Sequence, residues 1–186
     1  MLDDQQRQIL LQVAADSVRH GLDTGKPLKV KVADYTAALQ QLGASFVTLT
    51  IQHELRGCVG MLKPTRPLVE DVAHNAYSAA FEDTRFSPLN AAEYDQLEYH
   101  ISILNPAEPI EFESEADLLQ QLRPGIDGLI LEDRGRRATF LPSVWESLPL
   151  AADFLRHLKM KAGLSPEYWS NSLKAQRYSV EEFGNE

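Results

Sequence analysis

The stretch that decides the fold of this chain is Phe46-Val47-Thr48-Leu49-Thr50-Ile51, then Gln52-His53-Glu54, then Leu55-Arg56-Gly57-Cys58-Val59-Gly60-Met61. The first six residues are β-branched, aromatic or aliphatic, which is typical of a strand. The three polar residues that follow predict a turn, and the last seven would return beside the first strand. We therefore predict an antiparallel hairpin in which residues 46–51 pair with residues 55–61.

Outside this hairpin, the spacing of apolar residues predicts helices in some segments and strands in others. The helical spacing of apolar residues predicts helices over residues 3–19, 34–42, 67–81, 114–122 and 151–162. Alternation and short apolar runs predict strands over residues 97–103, 128–131, 138–141 and 177–183. Because the strands come mostly as hairpins with helices between them, the pattern favours an α+β fold, a mostly antiparallel sheet flanked by helices, over a doubly wound parallel sheet. We expect one domain over residues 1–186.

The composition narrows the class of protein. The 186 residues carry a formal net charge of −9, with 44% hydrophobic and 24% charged residues. A negative chain lacks the cationic surface that nonspecific binding to nucleic acid or to an anionic membrane requires. No apolar run is long enough to span a bilayer, and the polar N-terminus does not resemble a signal peptide. We therefore expect a cytoplasmic protein with neither nucleic acid nor membrane as a partner.

Residues 55–60, called the LRGCVG segment below, are the candidate site. Glycine inside a strand costs stability and usually serves close backbone approach or a bulge, so Gly57 and Gly60 are expected to leave room for a ligand. In an extended segment Arg56 and Cys58 share one face. A guanidinium near a thiol favours the reactive thiolate. The functional hypothesis is a ligand-contacting or nucleophilic Cys58, with Arg56 binding an anionic group.

A plainer interpretation of the same residues stays open. Cysteine is most often a small buried hydrophobe, and Arg56 could be ion-paired or exposed. With one cysteine the chain forms no internal disulfide and holds no iron–sulfur cluster alone. The histidines lack HxxxH or HExxH spacing, so we predict no metal site. His53 could serve Cys58 as a base, although an exposed turn histidine is the more ordinary reading. We expect His100, on the polar face of its strand, to be solvated.

A second polar motif follows the helix predicted over residues 67–81. Asp83 and Arg85 hold opposite charges two residues apart. They could clamp a ligand at the candidate site, or they could only cap the end of the helix. Both alternatives stay open, and we include Asp83 and Arg85 among the candidate ligand-binding residues.

At this point the residues resemble a known family. The LRGCVG segment is similar to the LRGC(I/V)G signature of the AMMECR domain family, the A component of the AmmeMemoRadiSam system. Further segments resemble that family in the same order: residues 75–89, 101–104, 125–131, 140–145 and 161–164, with Trp169 and Tyr178. Two departures are visible. Val59 replaces the commoner isoleucine, and Thr84 replaces the usual proline between Asp83 and Arg85.

The resemblance implies an α+β fold with a larger and a smaller subdomain and a cleft that holds the signature. It also implies an accessory component that binds a small molecule or a partner through the LRGCVG segment and acts with Memo-like and radical-SAM proteins. Alternatively, the chain is an enzyme that uses Cys58 as nucleophile with Arg56 as the anion-binding group. A third reading makes the segment a tight structural hairpin. No cofactor can be named.

Overall fold

The computed structural model describes residues 1–185, which form six α-helices, two short 3₁₀ helices and ten strands. The helices are α1 Asp4–Thr24, α2 Ala37–Gln40, α3 Leu68–Phe81, α4 Ala91–Tyr94, α5 Glu115–Gln121 and α6 Ala151–Lys161, and the 3₁₀ helices are Val32–Asp34 and Pro142–Glu146. The strands are β1 Leu42–Gly43, β2 Ser45–Ile51, β3 Glu54–Gly60, β4 Arg66–Pro67, β5 Leu97–Leu104, β6 Glu108–Ile110, β7 Gly128–Asp133, β8 Arg136–Phe140, β9 Lys174–Tyr178 and β10 Val180–Gly184.

The chain divides into two compact units, of which the first comprises Met1–Leu104 and the residues from Glu181 onward. Its main sheet has the strand order β10-β5-β2-β3, and β1 pairs separately with β4. Helix α3 packs against β2 and β3, while α1 packs against α3 and β5. The apolar side chains between sheet and helices form one core, which includes Leu10, Val18, Val47, Leu49, Val69, Val72, Ala76 and Ile101.

Alternation along the central strand of the first unit explains this packing. Val47 and Leu49 are fully buried under the helices, whereas Thr48 and Thr50 are only half-buried. Because successive side chains of a strand point to opposite faces, the sheet has one apolar face under α1 and α3 and one polar face. The polar face carries Thr48 and Thr50 of β2 beside Glu98 and His100 of β5.

The second unit is Asn105–Val180. Its antiparallel sheet has the order β6-β9-β7-β8 and packs on α5 and α6 through a separate core. In that core the rings of Trp145 and Phe154 stack with centroids 3.8 Å apart. Lys159 is fully buried and bonds Glu115 at 2.9 Å, with its ammonium over the ring of Trp169. Each unit therefore has its own hydrophobic core.

The predicted α+β class is confirmed, and so are both main hairpins, β2–β3 and β7–β8. The first helix is longer than predicted, since it continues through Gly21 and ends at Gly25, whose φ of 69° is left-handed. Gly21 lies inside the helix, where α1 packs on α3. This position requires glycine because a side chain there would collide with the rings of Tyr77 and Phe81. Gly21 is thus a packing residue.

Two other predicted elements are wrong. Residues 34–42 do not form one helix: Asp34 ends a 3₁₀ helix, Ala37–Gln40 is a single turn, and Leu42–Gly43 pairs with β4. The strand predicted over residues 177–183 is two strands, β9 and β10, which belong to different sheets. Pairing with distant strands overrides the local pattern in both places. Among the described residues, the structure contains no helix long and apolar enough to cross a membrane.

Candidate functional site

The β2–β3 hairpin is irregular at the LRGCVG segment. Thr48 lies opposite Cys58 and Leu49 opposite Gly57, but Thr50 lies opposite Leu55. Arg56 is therefore an extra residue, a β-bulge in the edge strand. A bulge interrupts the alternation of side chains and turns one of them in a new direction. The simple alternation from which we placed Arg56 and Cys58 on one face is therefore interrupted at Arg56.

The Arg56 side chain makes its polar contacts with the loop and helix that follow α3. Its Nε donates to Glu93 of α4 at 2.8 Å, and Nη2 donates to Glu93 at 3.1 Å and to the carbonyl of Ser87 at 2.9 Å. The side chain is only 13% exposed. The hydrogen bond from Arg56 lowers the pKa of Glu93. Arg56 thus forms the ion pair that the sequence left open as an alternative.

The Cys58 side chain is half-buried on the polar face of the sheet. Its Sγ lies 3.2 Å from Oγ1 of Thr48 on the neighbouring strand. Thr48 also lies opposite His100 of β5, so Cys58, Thr48 and His100 form one row across three strands. The Cys58 thiol is therefore not a fully buried hydrophobic side chain, and its hydrogen-bonding neighbour is the hydroxyl of Thr48.

The backbone of Cys58 is held by the motif that follows α3. In the sheet order β3 is an edge strand, so within residues 1–185 the outward N–H and carbonyl of Cys58 have no strand partner. Asp83 accepts the N–H at 2.9 Å, and Nη2 of Arg85 donates to the carbonyl at 3.3 Å. Asp83 and Arg85 together thus take the place of a missing strand at Cys58.

Asp83 and Arg85 also bind one another in bidentate geometry. Nε and Nη2 of Arg85 donate to the carboxylate of Asp83 at 2.9 and 2.6 Å. Hydrogen bonding from Arg85 holds the pKa of Asp83 well below its usual range, and the N–H of Cys58 acts in the same direction. The Asp83 hydrogen bond raises the pKa of Arg85, and Cys58 adds a smaller electrostatic contribution. The guanidinium that interacts with Cys58 is therefore that of Arg85.

The two glycines of the segment serve packing. A Cβ at Gly57 would collide with the backbone carbonyl of Ala79 in α3, and a Cβ at Gly60 would collide with the ring of Phe46 and the carbonyl of Ser45. Gly57 therefore allows α3 to approach β3 closely. The space that the glycines create is filled by this protein's own atoms, which corrects the expectation that they leave room for a ligand.

Two further sequence hypotheses concerned histidine and metals. His53 lies in the turn with φ of 64°, is 90% exposed, and approaches Glu98 at 3.5 Å, with no hydrogen bond to Cys58 among residues 1–185. His100 is exposed on the polar face. In the part of the chain that the structure describes, no three His, Cys, Asp or Glu side chains lie where they could share a metal ion.

Sequence reasoning missed two residues of this site, Thr48 and Glu93. The signal for Glu93 was present, because Asn90 and Glu93 have the spacing of a helix capping box, which the structure contains at α4. Thr48 was placed on a strand, but its neighbours on adjacent strands depend on the register. No local pattern reports that register.

Comparisons with known proteins agree with this fold. The family model described as AMMECR1 matches residues 11–183. A protein of Methanothermobacter thermautotrophicus is 34% identical over 180 residues, covering 94% of this chain and 91% of its own. A protein of Thermotoga maritima is 37% identical over 141 residues, covering 75% and 76%. The crystal structure of the uncharacterized protein PH0010 from Pyrococcus horikoshii superposes with a TM-score of 0.90 at 32% identity, covering 100% of this chain and 94% of that chain.

Proposed function

Because the chain belongs to the AMMECR1 family, we propose that it is a cytoplasmic accessory component that acts with Memo-like and radical-SAM proteins. Its ligand-contacting group would be the Cys58 edge: the Cys58 side chain, the Arg85 guanidinium, and Asp83, which orients Arg85. The ligand is an anionic group of a small molecule or of a partner protein. The family resemblance supports the partners, and the geometry of Arg85 supports the ligand class. We propose that residues 1–186 function as one domain.

The observation that carries this proposal is the unused hydrogen-bonding capacity of Arg85. Its side chain is 55% exposed although the carboxylate that anchors it is 6% exposed. Nε and Nη2 contact Asp83 and Cys58, while Nη1 donates to no other group among residues 1–185. A guanidinium that is fixed on one side and free on the other is pre-organised for a carboxylate or phosphate. Arg56 also has an Nη1 without a partner among residues 1–185, but that atom is buried and the side chain is only 13% exposed, so a ligand cannot reach it.

In this proposal the rest of the LRGCVG segment supports the edge. The Arg56–Glu93 ion pair links β3 to α4, and Gly57 and Gly60 allow the close packing of the hairpin. These residues would act on the ligand only through the position of Cys58. The sequence hypothesis that Arg56 is the anion-binding group is accordingly replaced by Arg85.

The test is a binding measurement with purified full-length proteins. The chain is mixed with the Memo-like protein and the radical-SAM protein of the same organism, separately and together, and complex formation is followed by size-exclusion chromatography and calorimetry. We expect a complex that Arg85→Glu weakens at least tenfold, since the charge reversal would repel an anionic group. Arg156→Glu is the matched control, because Arg156 is 54% exposed in the second unit. No complex, or equal loss in both variants, would contradict the proposal.

A second function, catalysis by a nucleophilic Cys58, is favoured by one observation. The Thr48 hydroxyl lies 3.2 Å from Sγ and could donate to a thiolate. In such a step Sγ would bond an electrophilic carbon of the substrate, the leaving group would depart with the bond electrons, and the thiol proton would pass to solvent. Cys58→Ser separates the two functions. It would abolish turnover by an enzyme but would leave the complex described above intact if Cys58 only contacts the ligand.

A further inference from the structure

A groove of about 460 Å³ lies in the first unit, away from the LRGCVG segment. One wall is residues 26–30, which follow α1, and the other is formed by Arg66, Glu70 and His74. Arg66 belongs to β4, whereas Glu70 and His74 lie on α3. The spacing of four residues places Glu70 and His74 on the same face of that helix.

The wall formed by residues 26–30 is held against the helices at two points. The Tyr77 hydroxyl donates to the carbonyl of Gly25 at 2.8 Å. The backbone N–H of Leu28 donates to Oγ of Ser17 at 3.2 Å, and that hydroxyl in turn donates to the carbonyl of Ala73. The groove is therefore built by contacts of α1 and α3 and does not depend on a loose surface loop.

The charges of the groove oppose those of the whole chain. The chain has a formal net charge of −9, yet the groove is lined by Lys26, Lys29 and Arg66 against one carboxylate, Glu70. Within residues 1–185, neither lysine forms an ion pair, whereas Arg66 approaches the buried Asp71 at 3.5 Å. The ammonium groups of Lys26 and Lys29 are thus available to a ligand, whereas Arg66 is held by its contact with the buried Asp71.

The groove also has an apolar surface, which lies beside His74. Nδ1 of His74 is buried and has no hydrogen-bond partner among the described residues. A buried polar atom without a partner costs free energy, so such atoms usually face a group that completes the bond. Pro27, Leu28 and Val30 are half-buried and line the same groove. A concave site with apolar walls and a few convergent polar groups is the usual form of a small-molecule site.

We propose that this groove binds a small organic anion, a phosphate or carboxylate attached to an apolar body. Lys26 and Lys29 bind the anionic group, and His74 lines the site beside them. The apolar body packs on Pro27, Leu28 and Val30. The site shares no residue with the Cys58 edge, so it does not depend on the function proposed for that edge.

The experiment titrates the full chain with four probes, phenyl phosphate, benzoate, inorganic phosphate and phenol, and follows binding by calorimetry and by amide NMR shifts. We expect phenyl phosphate or benzoate to shift the amides of residues 26–30 and of His74, and to bind more tightly than inorganic phosphate or phenol. The comparison between the first two probes identifies which anionic group the groove prefers. Weakening of binding by added salt would accompany it.

Charge-reversal variants identify the side chains that bind the anionic group of the probe. The double variant Lys26→Glu/Lys29→Glu should lower the affinity for the best probe at least tenfold, because two attractive charges become repulsive. Lys63→Glu, an equal charge change per residue at an exposed lysine outside the groove, should change it less than twofold. Lys29→Gln, which removes charge without adding any, provides a milder test if the double variant folds poorly.

Three results would overturn the proposal. The first is the absence of binding by either aromatic anion. The second is phenol binding as tightly as phenyl phosphate, which would make the charges irrelevant. The third is loss of binding in Arg85→Gln with retention in the lysine variants, which would move the anion to the Cys58 edge.

Discussion

Asp83 accepts the backbone N–H of Cys58 at 2.9 Å on the open side of β3, where no strand of the sheet pairs. The carboxylate therefore accepts the hydrogen bond that a carbonyl of a neighbouring strand would otherwise accept. It also holds the guanidinium of Arg85 beside the same residue. The carboxylate of Asp83 thus satisfies a backbone group at the edge of β3 that would otherwise lack a partner. The same carboxylate anchors Arg85, whose side chain stays exposed to solvent.

Asp83→Asn should destabilise the protein in a pH-dependent way. The hydrogen bonds from Arg85 lower the pKa of Asp83, so its ionised form stabilises the folded state. That stabilisation is complete above the unfolded pKa, near 3.9, and is lost as pH falls through the lower folded pKa. In urea titrations we expect a loss of about 1–3 kcal/mol near pH 7 that shrinks as pH is lowered through this window.

The exposed Asp23 provides the control for that measurement. Asp23→Asn should change the free energy of unfolding by less than about 0.5 kcal/mol at every pH. A constant difference between wild type and Asp83→Asn from pH 7 down to pH 2 would show that the carboxylate of Asp83 is not the stabilising group.

Arg56→Ala should lower the melting temperature. The side chain is 13% exposed and bonds both Glu93 and the carbonyl of Ser87, and its removal takes the guanidinium donor from both acceptors, although Glu93 keeps the N–H of Asn90. We expect a loss of roughly 1–3 kcal/mol, or a few degrees in Tm, measured by calorimetry. Arg156→Ala, which breaks an exposed pair with Glu167, should change Tm by less than one degree or so. An unchanged Tm for Arg56→Ala would return this arginine to the list of ligand-binding candidates.

Gly57→Ala should be among the more damaging single substitutions in the first unit. The new Cβ would meet the backbone carbonyl of Ala79, which cannot move without shifting α3. Overpacking of this kind costs about 1–3 kcal/mol or more, measurable by denaturant unfolding. Gly43→Ala is the strand comparison and should cost less, because its Cβ would meet the side chain of Leu68 at 2.8 Å rather than a backbone carbonyl. Equal losses in both variants would contradict the assigned packing role.

Alkylation of Cys58 should depend on Arg85 more than on Arg56. Arg85 bonds the carbonyl of Cys58, whereas Arg56 bonds Glu93. Loss of this hydrogen bond should loosen the strand edge around the thiol, so Arg85→Gln should change the rate of iodoacetamide labelling near pH 7 by roughly threefold or more. Arg56→Gln should change the rate less, provided that both variants are folded by circular dichroism. A larger effect in Arg56→Gln would restore the original pairing of Arg56 with Cys58.

Much of this architecture could be predicted from residue patterns. Alternation along residues 46–51 and the polar turn after them define the β2–β3 hairpin, because a strand with one buried face needs apolar residues at every second position. The helical spacing of residues 67–81 defines α3 for the same kind of reason. The LRGCVG segment and the ordered motifs after it were sufficient to indicate the AMMECR1 family, which the comparison confirms.

The choice between the two arginines required the tertiary structure. By sequence alone Arg56 is two residues from Cys58, and Arg85 is twenty-seven residues away. A bulge at Arg56 breaks the alternation on which the first pairing depends, and the close approach of α3 at Gly57 brings the residues after that helix to the strand edge. Strand register and helix packing are set by contacts distant in sequence, so they decide which charged side chain contacts Cys58, while local periodicity decides only which elements form.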